Sequence, residues 1–323
     1  MLAVMAPPRG TCWLVTVLML AACGSADETP RGCGLQGTAA LPDHGAELAF
    51  ACNLEPRSRY HGDILVVRPG DRARLLTHGE GANSLPRWSP DGKRIAFMST
   101  RSGMEQLYVM QADGTGVVQV THSLGFKGGV DWSPDGTRIA YASSEAGISG
   151  PLGIIHAPGD IYVARSDGSA ARQLTSGGGL NVEPEWSPDG TKIAFFSDRG
   201  GPGEIWVMAA DGSDVRLLTN GPSLNASPSW SPDSARIAFH SERDFPGGYE
   251  SAIYVMDADG KDQRRVVGGA GLSPDWSPDG RWIVFVSRRD GPWDLYAVRG
   301  DGSAITRLTD DTNIEVEPQW RPG

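Results

Sequence analysis

The 323-residue sequence predicts an all-β fold: a six-bladed β-propeller of four-stranded antiparallel blades, the ring closed by the C-terminal strand joining the N-terminal blade. Three observations carry that expectation. Trp recurs at 88, 132, 186, 230, 276 and 320, with spacings of 44, 54, 44, 46 and 44. A period in the forties fits either propeller blades or helical repeats, so strand content has to decide. Each unit holds four short β-rich runs and no apolar stripe of helical period, which selects the propeller. The two ends of the repeat are also complementary, so that one blade is shared between them.

The unit starting at Pro184 shows the elements in order. Its runs are Pro-Glu-Trp, Lys-Ile-Ala-Phe-Phe, Glu-Ile-Trp-Val-Met and Val-Arg-Leu-Leu-Thr. Between the first two lies Ser187-Pro188-Asp189-Gly190, a tight-turn sequence. Pro presets φ, Asp accepts local backbone bonds and Gly takes positive φ. The turn recurs at Pro90-Asp91-Gly92, Pro134-Asp135-Gly136 and Pro278-Asp279-Gly280, and degrades to Pro232-Asp233-Ser234. A second turn, between the third and fourth runs, carries Asp-Gly at 113–114, 167–168, 211–212, 259–260 and 301–302. These turns account for much of the 43 Gly and 23 Pro, about a fifth of the chain. Trp and Ile/Phe alternate along the strands and are expected to pack between blades rather than to form a ligand-stacking ladder.

The ends fix the blade number. The chain stops at Trp320-Arg321-Pro322-Gly323, a first strand that breaks off in its own turn. The stretch from Leu41 to Phe50 reads as the missing turn and second strand, with Asp63–Val67 and Arg74–Thr77 as strands three and four. Five internal blades and one composite blade make six, with no open edge.

These units resemble the propeller repeat of the TolB family, in which Trp-Ser-Pro-Asp-Gly leads to a strand of the Ile-Ala-Phe type, then Ile-Tyr-Val-Met, Asp-Gly and Leu-Thr. The resemblance covers residues 41–323 and implies a periplasmic propeller that binds a protein or peptide at its channel mouth. TolB itself carries an additional α/β domain before the propeller. The approximately 20 residues between Cys23 and the first strand are too few for one.

The N-terminus reads as an address. An apolar stretch from Cys12 to Ala22 follows Arg9 and ends in Leu20-Ala21-Ala22-Cys23, which resembles a lipobox. Residues 1–22 are therefore expected to be a lipoprotein signal peptide, Cys23 the lipidated residue and 23–40 a linker. Gly24 after the Cys is compatible with the outer membrane, the anchor facing the periplasm. In an oxidising compartment the remaining Cys33 and Cys52 read as one disulfide, with two unpaired thiols as the alternative. The formal charge of −10 makes nucleic acid a poor partner for the whole chain, and none is expected. No later window approaches the ~20 apolar residues of a membrane span, so membrane contact runs through the lipid alone, and the chain is expected to be a monomer.

In a propeller, the connections between strands two and three, and from strand four to the next blade, share one face. That face varies here: Ser143–Gly159 is the longest insertion and Ser241–Ser251 the second. Long loops on a rigid scaffold are where binding sits. Around the Trp residues lie Arg87, Asp131, Glu183, Glu185, Asp275, Glu315 and Glu317, expected to bring charge to the axis. An acidic ring suits a basic peptide, or a divalent cation on oxygen ligands, although no cofactor is required. The competing expectation is that these carboxylates pair with Arg101, Arg199, Arg243 or Arg289.

His61, His78, His122, His156 and His240 are placed on the loop face. They lack metal-ligand spacing and read as exposed loop residues rather than as the metal site of a propeller lyase. No Gly-x-Ser-x-Gly elbow, phosphate loop or dinucleotide fingerprint occurs. The function that follows is non-catalytic binding of an envelope protein or peptide. The alternative is a metal-dependent polysaccharide lyase or hydrolase.

Overall fold

Six four-stranded antiparallel sheets make up the computed structural model, which describes residues 47–53, 62–68, 71, 73–123, 125, 127–144, 159–245, 250–291, 293–309 and 314–323. The first sheet joins β1 (Leu48–Asn53), β2 (Asp63–Val67) and β3 (Arg74–Leu75) to the last strand, β24 (Ile314–Trp320). The second runs β4 (Asn83–Trp88), β5 (Arg94–Ser99), β6 (Gln106–Gln111), β7 (Val118–Gln119). The third runs β8 (Lys127–Trp132), β9 (Arg138–Ser143), β10 (Asp160–Arg165), β11 (Arg172–Gln173). The fourth runs β12 (Asn181–Trp186), β13 (Lys192–Ser197), β14 (Glu204–Ala209), β15 (Arg216–Leu217). The fifth runs β16 (Asn225–Trp230), β17 (Arg236–Ser241), β18 (Ala252–Asp257), β19 (Arg264–Val267). The sixth runs β20 (Gly271–Trp276), β21 (Trp282–Ser287), β22 (Asp294–Arg299), β23 (Thr306–Arg307). The ring closes as the repeat predicts: β24 pairs antiparallel with β1, Trp320 opposite Leu48.

The core lies between blades. Six apolar clusters fill the six junctions; one packs Ala49, Ile64 and Val66 of the first blade against Trp88, Ile95 and Phe97 of the second. All six repeat Trp residues are buried, at 2–4% exposure. Arg321, Arg94, Arg138 and Arg236 stack on Trp88, Trp132, Trp186 and Trp276, each from the preceding blade. Among the described residues no helix covers the sheets, and each buries its two faces against its neighbours.

The turns form as their residues require. Ser89 Oγ donates to Asp91 and accepts from the Arg94 N–H, and the same contacts recur at Ser133, Ser187 and Ser231. Ser234, where the repeat loses its Gly, holds φ 57°, in the left-handed region where the other blades use Gly. The Thr that ends the fourth run in five blades also has a defined task. Thr77, Thr121, Thr175, Thr219 and Thr309 each accept the N–H of the second residue of strand three: Ile64, Leu107, Ile161, Ile205 and Leu295. The fourth strands are shorter than the sequence suggests, two residues in five blades. No further strand among the described residues pairs with them at the outer rim.

Residues 1–22, Cys23 and Cys33 lie outside the described residues, as do most of Ser143–Gly159, part of Ser241–Ser251, His61 and His156. Cys52 is buried in β1 and disulfide-bonded.

Candidate functional site

The axial wall is made by the first strands of the blades. The strands β4, β8, β12, β16, β20 and β24 contact one another in a closed ring. Each carries a β-bulge three to two residues before its Trp. The residue three before the Trp is left-handed in every blade: Leu85, Gly129, Glu183, Ser227, Ser273 and Glu317, at φ 49–57°. Pro follows it in five blades, which the bulge tolerates because this edge has no ladder bond to lose. In the sixth, Gly129 is required by space, since a Cβ would meet the Glu183 backbone at 2.7 Å.

The bulge turns side chains along the wall towards the next blade. The Trp186 N–H donates to Asp131 Oδ2 at 2.7 Å, and the Trp230 N–H to Glu185 Oε1 at 2.8 Å. The Trp320 N–H donates to Asp275 Oδ2 at 2.8 Å, the Trp276 N–H to Ser229 Oγ at 3.3 Å and the Trp88 N–H to Gln319 Oε1. One tier up, Glu183 accepts the Ser227 N–H at 2.8 Å and Glu317 accepts the Leu85 N–H. These are inter-blade staples: a first strand is the inner edge of its sheet, and its outward N–H groups need acceptors from elsewhere.

The sequence-predicted residues thus come together, with one qualification. Asp131, Glu183, Glu185, Asp275 and Glu317 share the wall with Arg87, whose charge acts favourably on all five. The backbone of Glu315 pairs with Cys52, and its side chain lies outside the described part. Among the described residues the expected pairing with Arg101, Arg199, Arg243 and Arg289 does not form. Arg101, Arg199 and Arg243 donate instead to Asn83, Asn181 and Asn225 Oδ1, and Arg289 to the Gly269 carbonyl. All four lie over aromatic rings of strands two and three, so they hold a blade together rather than pair with the wall carboxylates.

Burial along the wall disfavours the charged carboxylates. It pushes Asp131 and Glu183 up to about 7 and Asp275 up to about 6, against opposing hydrogen bonds and Arg87. Glu185 is raised well above the carboxylate range by burial and by repulsion from Asp131 and Asp275. Burial also raises Glu317.

Sequence reasoning missed two members. Glu105, at the loop-face end of β6, is pushed up to about 8 by burial and by Glu317, with Lys127 opposing. Lys127 is buried in β8, where three other blades place Asn, and its Nζ donates to the Gly125 carbonyl at 3.3 Å. The available signal was a break in the repeat: Glu105 stands where other blades have Gly62, Gly159 and Gly203.

His240 corrects the loop-face histidine reading. It is 3% exposed within β17, its Nδ1 has no hydrogen-bond partner among the described residues, and burial pulls it down to about 4. It occupies a blade-core position held elsewhere by Met98 and Phe196, opposite Ala226 and Ile253. His78 and His122 are exposed. Among the described residues no group of three or more His, Cys, Asp or Glu is arranged to hold a metal ion.

A TolB β-propeller domain model matches residues 42–150, and a Tricorn protease N-terminal β-propeller model matches residues 147–271. The protein TolB homolog of Chlorobium luteolum is 31% identical over 157 residues, covering 49% of this chain and 33% of that protein. The Tol-Pal system protein TolB of Bordetella pertussis is 44% identical over 117 residues, 36% of this chain and 24% of its own. The chain therefore spans a third or less of these relatives' length. The crystal structure of TolB from Acinetobacter baumannii matches with a TM-score of 0.74 at 23% identity, over 86% of this chain and 67% of that one, which bears on the fold alone. By repeat, ring closure and these likenesses, the chain is a TolB-like six-bladed β-propeller.

Proposed function

We propose that the protein is a non-catalytic, lipid-anchored propeller of the cell envelope that holds a segment of a partner protein at its loop face and channel mouth. The observation that carries this reading is the charge of the wall. Its fold task, accepting the next blade's N–H, is performed by neutral Gln319 and Ser229 in two blades. The fold therefore does not require ionisable groups there, and burial raises all five against the hydrogen bonds and the Arg87 charge that favour their ionised form. A cluster of acids perturbed in this way is a mark of a site. The likeness to TolB proteins supports an envelope role, and Leu20-Ala21-Ala22-Cys23 supports anchoring through Cys23, facing the periplasm from the outer membrane.

Site-specific photo-cross-linking in cells tests the reading. A cross-linker at Ser102, exposed on the loop face, is expected to capture a recurring envelope protein; one at Thr137, exposed on the turn face, is not. Equal capture at both sites, or none at Ser102, contradicts it. Stoichiometric Mn or Zn in the purified protein would favour the lyase or hydrolase alternative.

A further inference from the structure

The second strands repeat a clip that the first blade lacks. Ser99, Ser197, Ser241 and Ser287 are buried at the loop-face end of their strands. Each Oγ accepts the backbone N–H and the Nε–H of the Arg two residues on: Arg101, Arg199, Arg243 and Arg289. In β1 the same register position, opposite the first residue of strand three, is Cys52, and Leu54 takes the Arg position. Cys52 is 1% exposed and disulfide-bonded. The other cysteines are Cys12, Cys23 and Cys33. In the lipoprotein reading Cys12 leaves with the signal peptide and Cys23 carries the lipid, which assigns the bond to Cys33, outside the described residues.

The bond decides where a tether pulls. β1 begins at Leu48 on the turn face and ends at Asn53 on the loop face, roughly 17 Å away at the rise of a strand. The covalent chain therefore enters the propeller at the turn face, whereas the disulfide lies at the loop face. Between Cys23 and Cys33 stand only residues 24–32, mostly small or polar. Fully extended they reach ~35 Å, and as a flexible coil ~18 Å. Without the bond the tether continues to Glu47 and ends at the turn face, with a coil length of ~27 Å.

We propose that the Cys33–Cys52 disulfide moves the point of attachment from the turn face to the loop face, so that the lipid anchor holds the channel mouth towards its own membrane. The inference rests on the anchoring and loop-face binding proposed above, and adds the side from which a partner segment arrives. The repeat favours it over a bond that only stabilises the strand end. A strand end that needed only holding had Ser and Arg available, as in four other blades. That clip joins residues two apart, whereas its replacement reaches back to a stretch that precedes the first blade. A gap of ~18 Å below the mouth leaves room for an extended segment, since even stacked sheets pack only ~10 Å apart.

The test uses the full lipidated protein in phosphatidylethanolamine–phosphatidylglycerol vesicles that carry a headgroup-labelled acceptor lipid. A fluorescent unnatural amino acid is placed at Ser102, exposed on the loop face, or at Thr137, exposed on the turn face. The length of a strand sets these sites roughly 20 Å apart along the axis, so energy transfer to the lipid should be about twofold stronger, or more, from Ser102. In the double variant Cys33→Ser, Cys52→Ser, which gives β1 the residue other blades use, that order should be lost or reversed. Lengthening residues 24–32 by about ten Gly-Ser residues keeps the bond and the propeller, and should weaken transfer from Ser102. The proposal is overturned by equal or stronger transfer from Thr137 in the parent, by an unchanged Ser102 lead in the double variant, or by an unmoved Ser102 signal in the lengthened chain. Peptide mapping that joins Cys52 to a cysteine other than Cys33 also overturns it. The vesicles hold no partner, so none of these results touches the binding reading, which cross-linking at Ser102 judges. A mature chain without acyl groups on Cys23 would sink the anchor, and this proposal with it.

Discussion

Between adjacent blades the protein is apolar and nearly identical six times over; along its axis it is charged and differs from one blade to the next. Both regions join the same pairs of blades. The junctions do so with Trp, Ile and Phe, the wall with single hydrogen bonds to backbone N–H groups. The difference teaches which residues the ring needs. Apolar burial at ~25 cal/mol per Å² over a whole blade face outweighs a few hydrogen bonds each worth ~1 kcal/mol net. The wall is therefore free to vary in chemistry while the junctions are not.

The largest effect should come from a junction. Trp186→Ala opens a cavity among Ile161, Val163 and Phe195, and is expected to cost about 3–5 kcal/mol in denaturant unfolding. A loss below about 1 kcal/mol would remove the distinction between the two regions.

Next comes the histidine buried in the fifth blade. His240 is held neutral at about 4 against an ordinary 6.5, so the unfolded chain binds its proton more readily. Its stabilising effect is full above pH 6.5 and is lost as pH falls towards 4, by about 3 kcal/mol. His240→Met, the residue the second blade uses, should flatten the acid limb of the stability profile; an unchanged limb would rule His240 out as its source.

The wall should show a smaller effect of opposite sign. Asp275 is raised to about 6 from 3.8, so the folded state takes up a proton. That contribution is full below pH 3.8 and fades as pH rises through 6. Asp275→Asn keeps an acceptor for the Trp320 N–H and should become relatively more stable than the parent across that interval. Asp275→Ala, which removes the acceptor, should cost about 1 kcal/mol. Equal losses in both variants would mean that the charge, and not the hydrogen bond, matters to the fold.

The smallest effect belongs to the turns. Ser234 holds φ 57° but its Oγ accepts the Asp189 N–H at 3.0 Å, so Ser234→Gly relieves the left-handed strain and gives up that exposed bond, and the free energy of denaturant unfolding should move by less than about 0.5 kcal/mol.

The fold was legible because its determinants repeat. The Trp spacing, the Pro-Asp-Gly turns and the Thr that ends the fourth run each report a local requirement that recurs in most or all blades. Blade number followed from Trp320 lacking a strand after it and Leu48 lacking one before. The site was half legible. Composition around the Trp residues brought out Arg87, Asp131, Glu183, Glu185, Asp275 and Glu317, but their contacts depend on the bulge that redirects them. Pro184 and its equivalents, inside an otherwise regular strand, were the sign of that bulge. Glu105 and Lys127 were hidden because they lie away from the Trp, at positions whose meaning comes only from comparing blades. His240 misled because a strand end and a loop start look alike in sequence. Burial is a property of the neighbouring blade.

The separation of fold from function is tested most directly by neutralising the wall without removing its acceptors. The five-fold variant Asp131→Asn, Glu183→Gln, Glu185→Gln, Asp275→Asn and Glu317→Gln keeps an oxygen for every staple. Its unfolding free energy at neutral pH should equal or exceed the parent's, while cross-linking of the partner at Ser102 disappears. A ring that falls apart, or a partner captured as before, would contradict the assignment of the wall charge to binding.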